Sequence, residues 1–468
     1  MSPKFVQRPL RLALPLFAAI ALVATGCGSG SVSTGSTQSG SSTGPAFLIG
    51  TDAPLASVAS FSVEIESVNA IDSNGNSVSL ISGTPTVDFA RFNGLQTLLD
   101  MNNVSAGTYT GFSITLGAGT IGYLQTGSGA PTIQTMAATY ANGDSTSTVN
   151  VTLANPLVVQ AGGSPVGLRV DFDLRQSIGV DSNGDITGVV TPTFDVKAVS
   201  NTDSGAYIDE FVAAVVSVGS QSFVVQGPHG RQFTINVDGQ TVWDNNESIS
   251  DLTTSSIVQI SGELDRASQT LDADEVAIIS QNGFYAGGLV TNVTPATGQA
   301  SSFDLYVRGL LPTTTGLTLG QIATINLSGS EKYFIYRMHN PLTQFLFNSS
   351  ALLAGQHVSV GGPASGAADA TNVSVKRVVL RHWGYNGTVV AGSENSLAGS
   401  FQMQVKGFAG VLIPETVTVY VWDGTGFRSG FGAFSDIGDG DKVRVVGLLL
   451  NLPSGNPVLL ARYVDDLD

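Results

Sequence analysis

Short runs of alternating apolar and polar residues, broken by turn pairs, cover the chain from Ala46 onward. Phe61-Ser62-Val63-Glu64-Ile65-Glu66-Ser67-Val68 is typical: Phe61, Val63 and Ile65 alternate with polar residues, as a strand with one buried face requires, and Val68 closes the run. Asn74-Gly75, Asn142-Gly143, Asn183-Gly184, Asp238-Gly239 and Asp423-Gly424 supply the left-handed backbone that tight hairpins need. One helix is predicted, from Phe92 to Met101, where Leu95, Leu98 and Leu99 can share a face. The pattern predicts a mainly β protein.

Three anchors recur in the same order from about residue 206. An aromatic opens each β-run, at Phe211, Phe284 and Tyr385. A Ser-Phe strand follows, at Ser222-Phe223, Ser302-Phe303 and Ser400-Phe401. An alternating strand closed by glycine comes third, ending at Gly262, Gly361-Gly362 and Gly447. A last apolar strand ends each unit. This is an internal threefold repeat. Units of this length suit small closed barrels of five or six strands rather than solenoid turns. The expected organisation is a β-sandwich-like domain at 46–200, followed by three small β-barrel repeats at 206–281, 283–382 and 384–468. Joins near Ser200 to Gly205, at Gln281-Asn282-Gly283 and at Trp383-Gly384 predict some independence between the modules.

The start of the chain adds a location. Lys4, Arg8 and Arg11 precede the apolar run Leu12 to Val23, and small residues lead into Cys27, the single cysteine. This resembles a bacterial lipoprotein precursor, with residues 1–26 as signal peptide and Cys27 as the acylated first residue. Residues 27–45 are rich in Gly and Ser and read as a flexible tether. The expected place is the cell envelope, anchored in the lipid bilayer through Cys27. Gly28 in the next position favours the outer membrane. Losing the three basic and no acidic residues of the leader takes the formal charge from -16 to -19, which argues against nucleic-acid partners.

Two stretches carry family resemblances. Gly50-Thr51-Asp52-Ala53-Pro54, the strand ending Ile65-Glu66-Ser67-Val68, Thr86-Val87-Asp88-Phe89 and Ser105-Ala106-Gly107-Thr108-Tyr109-Thr110 together resemble the bacterial family called domain of unknown function 4382. The repeats are similar to domain of unknown function 5666. The first resemblance implies a β-sandwich-like domain, and no catalytic residues come with it.

Catalytic constellations are hard to assemble. His229, His339, His357 and His382 are the only histidines, and none sits in a recognisable catalytic context. His-Glu-x-x-His and Cys-x-x-Cys are absent. Calcium is the one cofactor with candidates: Asp72, Asn74 and Asn76 in one loop and Asp181, Asn183 and Asp185 in another place oxygen side chains at alternate positions. Both segments are equally good two-residue hairpins, which need no metal. Asp436, Asp439 and Asp441 form a third acidic loop. Trp383 and Trp422 are candidates for stacking on sugars, with Trp243 a further tryptophan, against the alternative that they fill barrel cores. The expected function is non-catalytic binding or scaffolding, with a polysaccharide or an envelope protein as partner. Rival readings are an extracellular glycan-binding surface protein and a hydrolase with an inter-domain site, for which Asp52 is the first suspect.

Overall fold

The computed structural model describes residues 43–467, apart from 54–56, 126–131, 184, 201–205, 228–229, 266–269, 313–314, 337–345, 414–415 and 453–456. The leader, Cys27, His229 and His339 lie outside the described residues, as does the side chain of Asp52.

The protein is mainly β. In the first domain one sheet runs in the order Phe194–Ser200, Val166–Asp173, Thr43–Ala53, Thr97–Ser105. A second is built on the long antiparallel pair Val58–Asp72 and Gly107–Gln125. The alternation seen in the sequence puts Phe61, Val63 and Ile65 on the inner face, against Leu168, Val170 and Phe172 of the first sheet. Phe61 meets Phe172 at 5.2 Å and Phe172 stacks on Phe194 at 4.6 Å between ring centroids, within the range where aromatic pairs add to simple burial.

The helix expected at 92–101 is not formed. Phe89–Phe92 makes one 3-10 turn, Gly94 takes φ +78°, and Thr97–Ser105 is a strand. That strand is buried on both faces: Leu98 and Met101 pack toward the first barrel, while Leu99 packs on the sandwich core. Apolar residues at both parities imitate helical spacing.

Three barrels follow. In the first, Ile208–Val218, Ser222–Gln226, Gln232–Asn236, Thr270–Ser280 and Ile257–Leu264 pair in that circuit, and the last returns to the first. The third repeats it with Trp383–Val389, Ser400–Val405, Thr416–Tyr420, Val458–Asp466 and Lys442–Leu450. The middle one follows the same order, its final strand broken into Val373–Ser374 and Arg377–Arg381. Strand register corrects one anchor. Phe211 faces Ile260, Ala286 faces Val360 and Tyr385 faces Val445, so Ala286 rather than Phe284 is the middle equivalent. The offset is two residues, which keeps Phe284 on the core side.

A fourth shared feature precedes each glycine-closed strand. Ser255, Gly355 and Gly440 have φ of 98°, 92° and 82°. Their N–H groups donate to the carbonyls of Val215, Val290 and Val389. The next residue, Ser256, Gln356 or Asp441, accepts through its side chain from the backbone N–H of Thr253, Leu353 or Gly438, at 2.9, 2.8 and 2.7 Å. Three different side chains close one turn.

The modules are not loosely joined. Residues 41–468 form one compact unit. Only His382 separates strand Arg377–Arg381 from Trp383–Val389, and three residues separate Ser280 from Phe284. The glycines at these joins permit close packing rather than bending.

Candidate functional site: the ionic seam between the modules

The residues selected from sequence are occupied by their own surroundings. Trp383 is 5 % exposed. The Arg308 guanidinium lies 5.4 Å from its ring centroid, and Tyr385 meets its edge at 5.2 Å. Its faces are therefore closed to a sugar, which corrects that expectation. Trp422 is half-buried, its indole N–H donates to the Ala461 carbonyl at 2.9 Å, and Gly424 folds onto the ring. It is not displayed at a hairpin tip. Trp243, Tyr333 and Phe427 occupy one position in the three barrels, on a short extra strand beside the last one, and pack against the respective cores.

The acidic loops are self-contained turns. Asp72 accepts from the backbone N–H groups of Asn74 and Asn76, both at 2.8 Å, and from the Asn76 side-chain amide at 2.8 Å. These bonds hold its carboxyl below the ordinary range. Asp181 accepts from the N–H groups of Asn183 and Asp185 at 2.8 and 2.9 Å, and from the Asn183 amide at 3.3 Å. In each loop the first aspartate thus closes the turn through the loop's own N–H groups. Asp436, Asp439 and Asp441 likewise accept from backbone N–H groups, of Gly432 and Ala433, Gly392, and Gly438 respectively.

The buried chemistry lies where modules meet. All six pairings among the four modules carry a polar link. Between sandwich and first barrel, the Gln96 N–H donates to Asp209 at 2.9 Å and the Thr97 hydroxyl to the Glu210 carbonyl at 2.7 Å. Between sandwich and middle barrel, Ser60 and Tyr306 hydroxyls lie 2.7 Å apart and Arg308 reaches Asp88 at 3.5 Å. Between sandwich and third barrel, the Asn93 amide donates to the Gly384 carbonyl at 2.6 Å. First and middle barrels are tied by Arg381–Glu210 at 2.9 Å and Arg377–Glu247 at 2.7 Å. Arg462–Asp209 at 2.8 Å joins first to third. Middle and third share the Gln356 amide on the Leu449 carbonyl at 3.1 Å and the Tyr385 hydroxyl on the Gly355 carbonyl at 3.0 Å.

Charge is balanced at short range in this seam. Burial pushes Glu210 upward, but the Arg381 and Arg91 guanidiniums outweigh it and hold the carboxyl below the usual range. Burial also opposes ionisation of Asp465, and Arg444 and Arg428 again prevail. Burial drives the His357 imidazole down to about 3, and His382 falls well below its ordinary value through burial and the Arg462 and Arg381 charges. Both are neutral near pH 7. Glu210, His357 and Ser359 come together here, yet Glu210 is engaged by Arg381, Ser359 Oγ accepts from Arg381 at 2.6 Å, and His357 Nδ1 faces the His382 carbonyl at 3.3 Å.

The sandwich and the first barrel each match a family model over part of the chain. Residues 47–188 match the model described as Domain of unknown function (DUF4382), and residues 212–277 match Domain of unknown function (DUF5666). The DUF4382 match spans both sheets of the sandwich. The DUF5666 match lies within the first barrel, whose strand circuit the third barrel repeats and the middle one follows with its last strand broken. No curated protein matches the chain.

Reading the sequence for motifs missed the seam. Its signal was a charged residue inside an otherwise apolar strand, as in Val378-Val379-Leu380-Arg381 and Leu459-Leu460-Ala461-Arg462. Such residues are rarely buried unless paired.

Proposed function

We propose that this protein is a lipid-anchored component of the bacterial cell envelope, held through Cys27, that acts as a non-catalytic binding scaffold. The observation that carries this reading is the seam. Ionisable groups of the buried core are committed to holding four modules in one arrangement, which is what a rigid presenting body requires. A rigid body loses little conformational entropy when its surfaces meet a partner at several points. The acidic formal charge supports a partner other than a nucleic acid. The leader and the tether support display away from the lipid surface.

Fractionation of cells carrying Cys27→Ser tests the anchor: release into the soluble fraction supports it, and unchanged membrane association overturns it. For the scaffold role, the purified protein is incubated with envelope polysaccharide and envelope protein fractions. Saturable binding without turnover supports the reading. Turnover of a substrate, lost on changing one side chain, replaces it with the enzyme reading.

A further inference from the structure

Two buried histidines lie beside Arg381 at the middle-to-third barrel joint, His357 opposite it in register and His382 next after it in the chain, and neither forms an ion pair among the described residues. His357 opens its strand facing Arg381 and Arg308, and the Glu210 carboxylate near it is already paired to Arg381. His382 is the single residue between the last strand of the middle barrel and the first of the third. It faces Arg381 and Arg462, stands edge-on to Tyr336 at 6.4 Å, and its Nδ1 has no hydrogen-bond partner. Trp383 covers His357 at 6.3 Å.

From this geometry we propose that the joint between the middle and third barrels is an acid-opened latch, in which protonation of His357 and His382 separates the two barrels while each barrel stays folded. An imidazolium at either position adds a third or fourth positive charge to a cluster whose carboxylates are taken. Water cannot solvate it unless the faces part. The parted state binds protons at the ordinary histidine affinity and the closed state does not, so acid favours parting. Between pH 6.5 and 4.5 the closed-to-open ratio falls about 50-fold through His357, and His382 acts in the same direction. Apolar clusters fill each barrel (Phe401, Val419 and Val445 in the third, Phe303, Ile325 and Val360 in the middle one). They also meet across the joint, where Leu448, Leu450 and Leu460 pack with the middle cluster and Leu289 and Tyr306 with the third, so parting exposes these side chains while the strand pairs inside each barrel keep theirs covered.

Hydrogen–deuterium exchange of the full chain from pH 7.5 to 4.5, corrected for intrinsic exchange, tests this. The expected result is acid-induced loss of protection at 355–362, 381–389 and 446–450, while the Phe303–Ile325 and Phe401–Val419 strand pairs stay protected. Unchanged protection at the joint at pH 4.5, or loss in the barrel strands at the same pH as at the joint, overturns the proposal. His357→Gln and His382→Gln cannot take the proton. Provided that they match wild type in exchange at pH 7.5, each moves the opening to lower pH, and the pair moves it further. An unmoved midpoint in the double variant overturns the latch. Asp171, whose burial raises its carboxyl, lies on the sandwich and also gains a proton in acid; Asp171→Asn leaves the joint midpoint where it is.

Discussion

Asn93 and Gly384 are 291 residues apart in sequence and in direct contact: the Asn93 side-chain amide donates to the Gly384 carbonyl at 2.6 Å. The approach is close enough that a Cβ on Gly384 would overlap the Asn93 carbonyl oxygen. This pair seats the turn of the sandwich on the first strand of the third barrel. Gly384→Ala forces the backbones apart and is expected to cost about 1–3 kcal/mol, as overpacking of a filled interior does. Asn93→Ala strands a buried carbonyl at about the same cost. Denaturant melts measure both, and because the residues share one contact, the double variant falls short of the sum.

Ser255 holds the left-handed conformation that glycine holds at 355 and 440 in the sister barrels. A side chain pays about 1–2 kcal/mol to sit there. Ser255→Gly is expected to recover roughly 1 kcal/mol, raising the melting temperature. The reverse changes differ from each other. Gly440→Ala meets nothing within 4 Å and costs only the backbone strain, whereas a Cβ on Gly355 comes within 2.5 Å of Ile413 and costs more. Equal losses at 355 and 440 would refute this ordering.

These two sites show what was legible in the sequence. Alternation and the glycine-closed strands foretold barrels, because side chains of a half-buried strand must alternate. The turn at 255 was hidden because serine there carries no glycine signal, and because Ser256, Gln356 and Asp441 do one job with different chemistry. Arg381 and Glu210 were visible as charges, but the pairing depends on how modules dock, which local pattern does not encode. For the same reason the sequence left Trp383 open between a sugar-stacking face and a core residue: its place beside a glycine suggested a loose join, where packing between modules in fact buries it.

Glu210 and Arg381 make a buried pair across the first and middle barrels, with side-chain exposures of 10 % and 2 %. Glu210→Gln leaves the guanidinium without its counter-charge and is expected to destabilise by about 3–5 kcal/mol. Replacing both by apolar residues of similar size removes the unpaired charge, so Glu210→Met with Arg381→Met is expected to be milder than either single change. A double variant as damaged as the singles would mean that the pair contributes through packing alone.

Stability is expected to fall in acid, for two reasons of the same sign. His357 and His382 titrate lower in the folded chain than unfolded, so their contribution is whole above pH 6.5 and lost on descent, for His357 down to about 3. Glu210 and Asp465, also depressed, give stability that is present above the ordinary carboxylate range and lost below it. Asp171 opposes them. Its carboxyl is raised by burial and it pairs across strands with Asp195, a like charge. Asp171→Asn is therefore expected to stabilise the protein at pH 7, with the gain shrinking as pH falls. Urea melts from pH 8 to pH 4 read both signs; a gain that grows in acid would contradict this assignment.

Calcium offers a check on the hairpin loops. A ligand that binds only the folded state adds about 2.7 kcal/mol at a concentration 100 times its dissociation constant, wherever it binds. Asp72 and Asp181 already accept three hydrogen bonds each from their own turns, which are thereby closed without a cation. Melting temperatures in millimolar calcium and in chelator are thus expected to coincide. Asp72→Ala is expected to lower the melting temperature equally in either buffer, since what it removes is the turn. A rise with calcium that vanishes in Asp72→Ala and Asp181→Ala would convert the loops from turns into metal sites, because mass action admits no other source for a shift tied to those side chains.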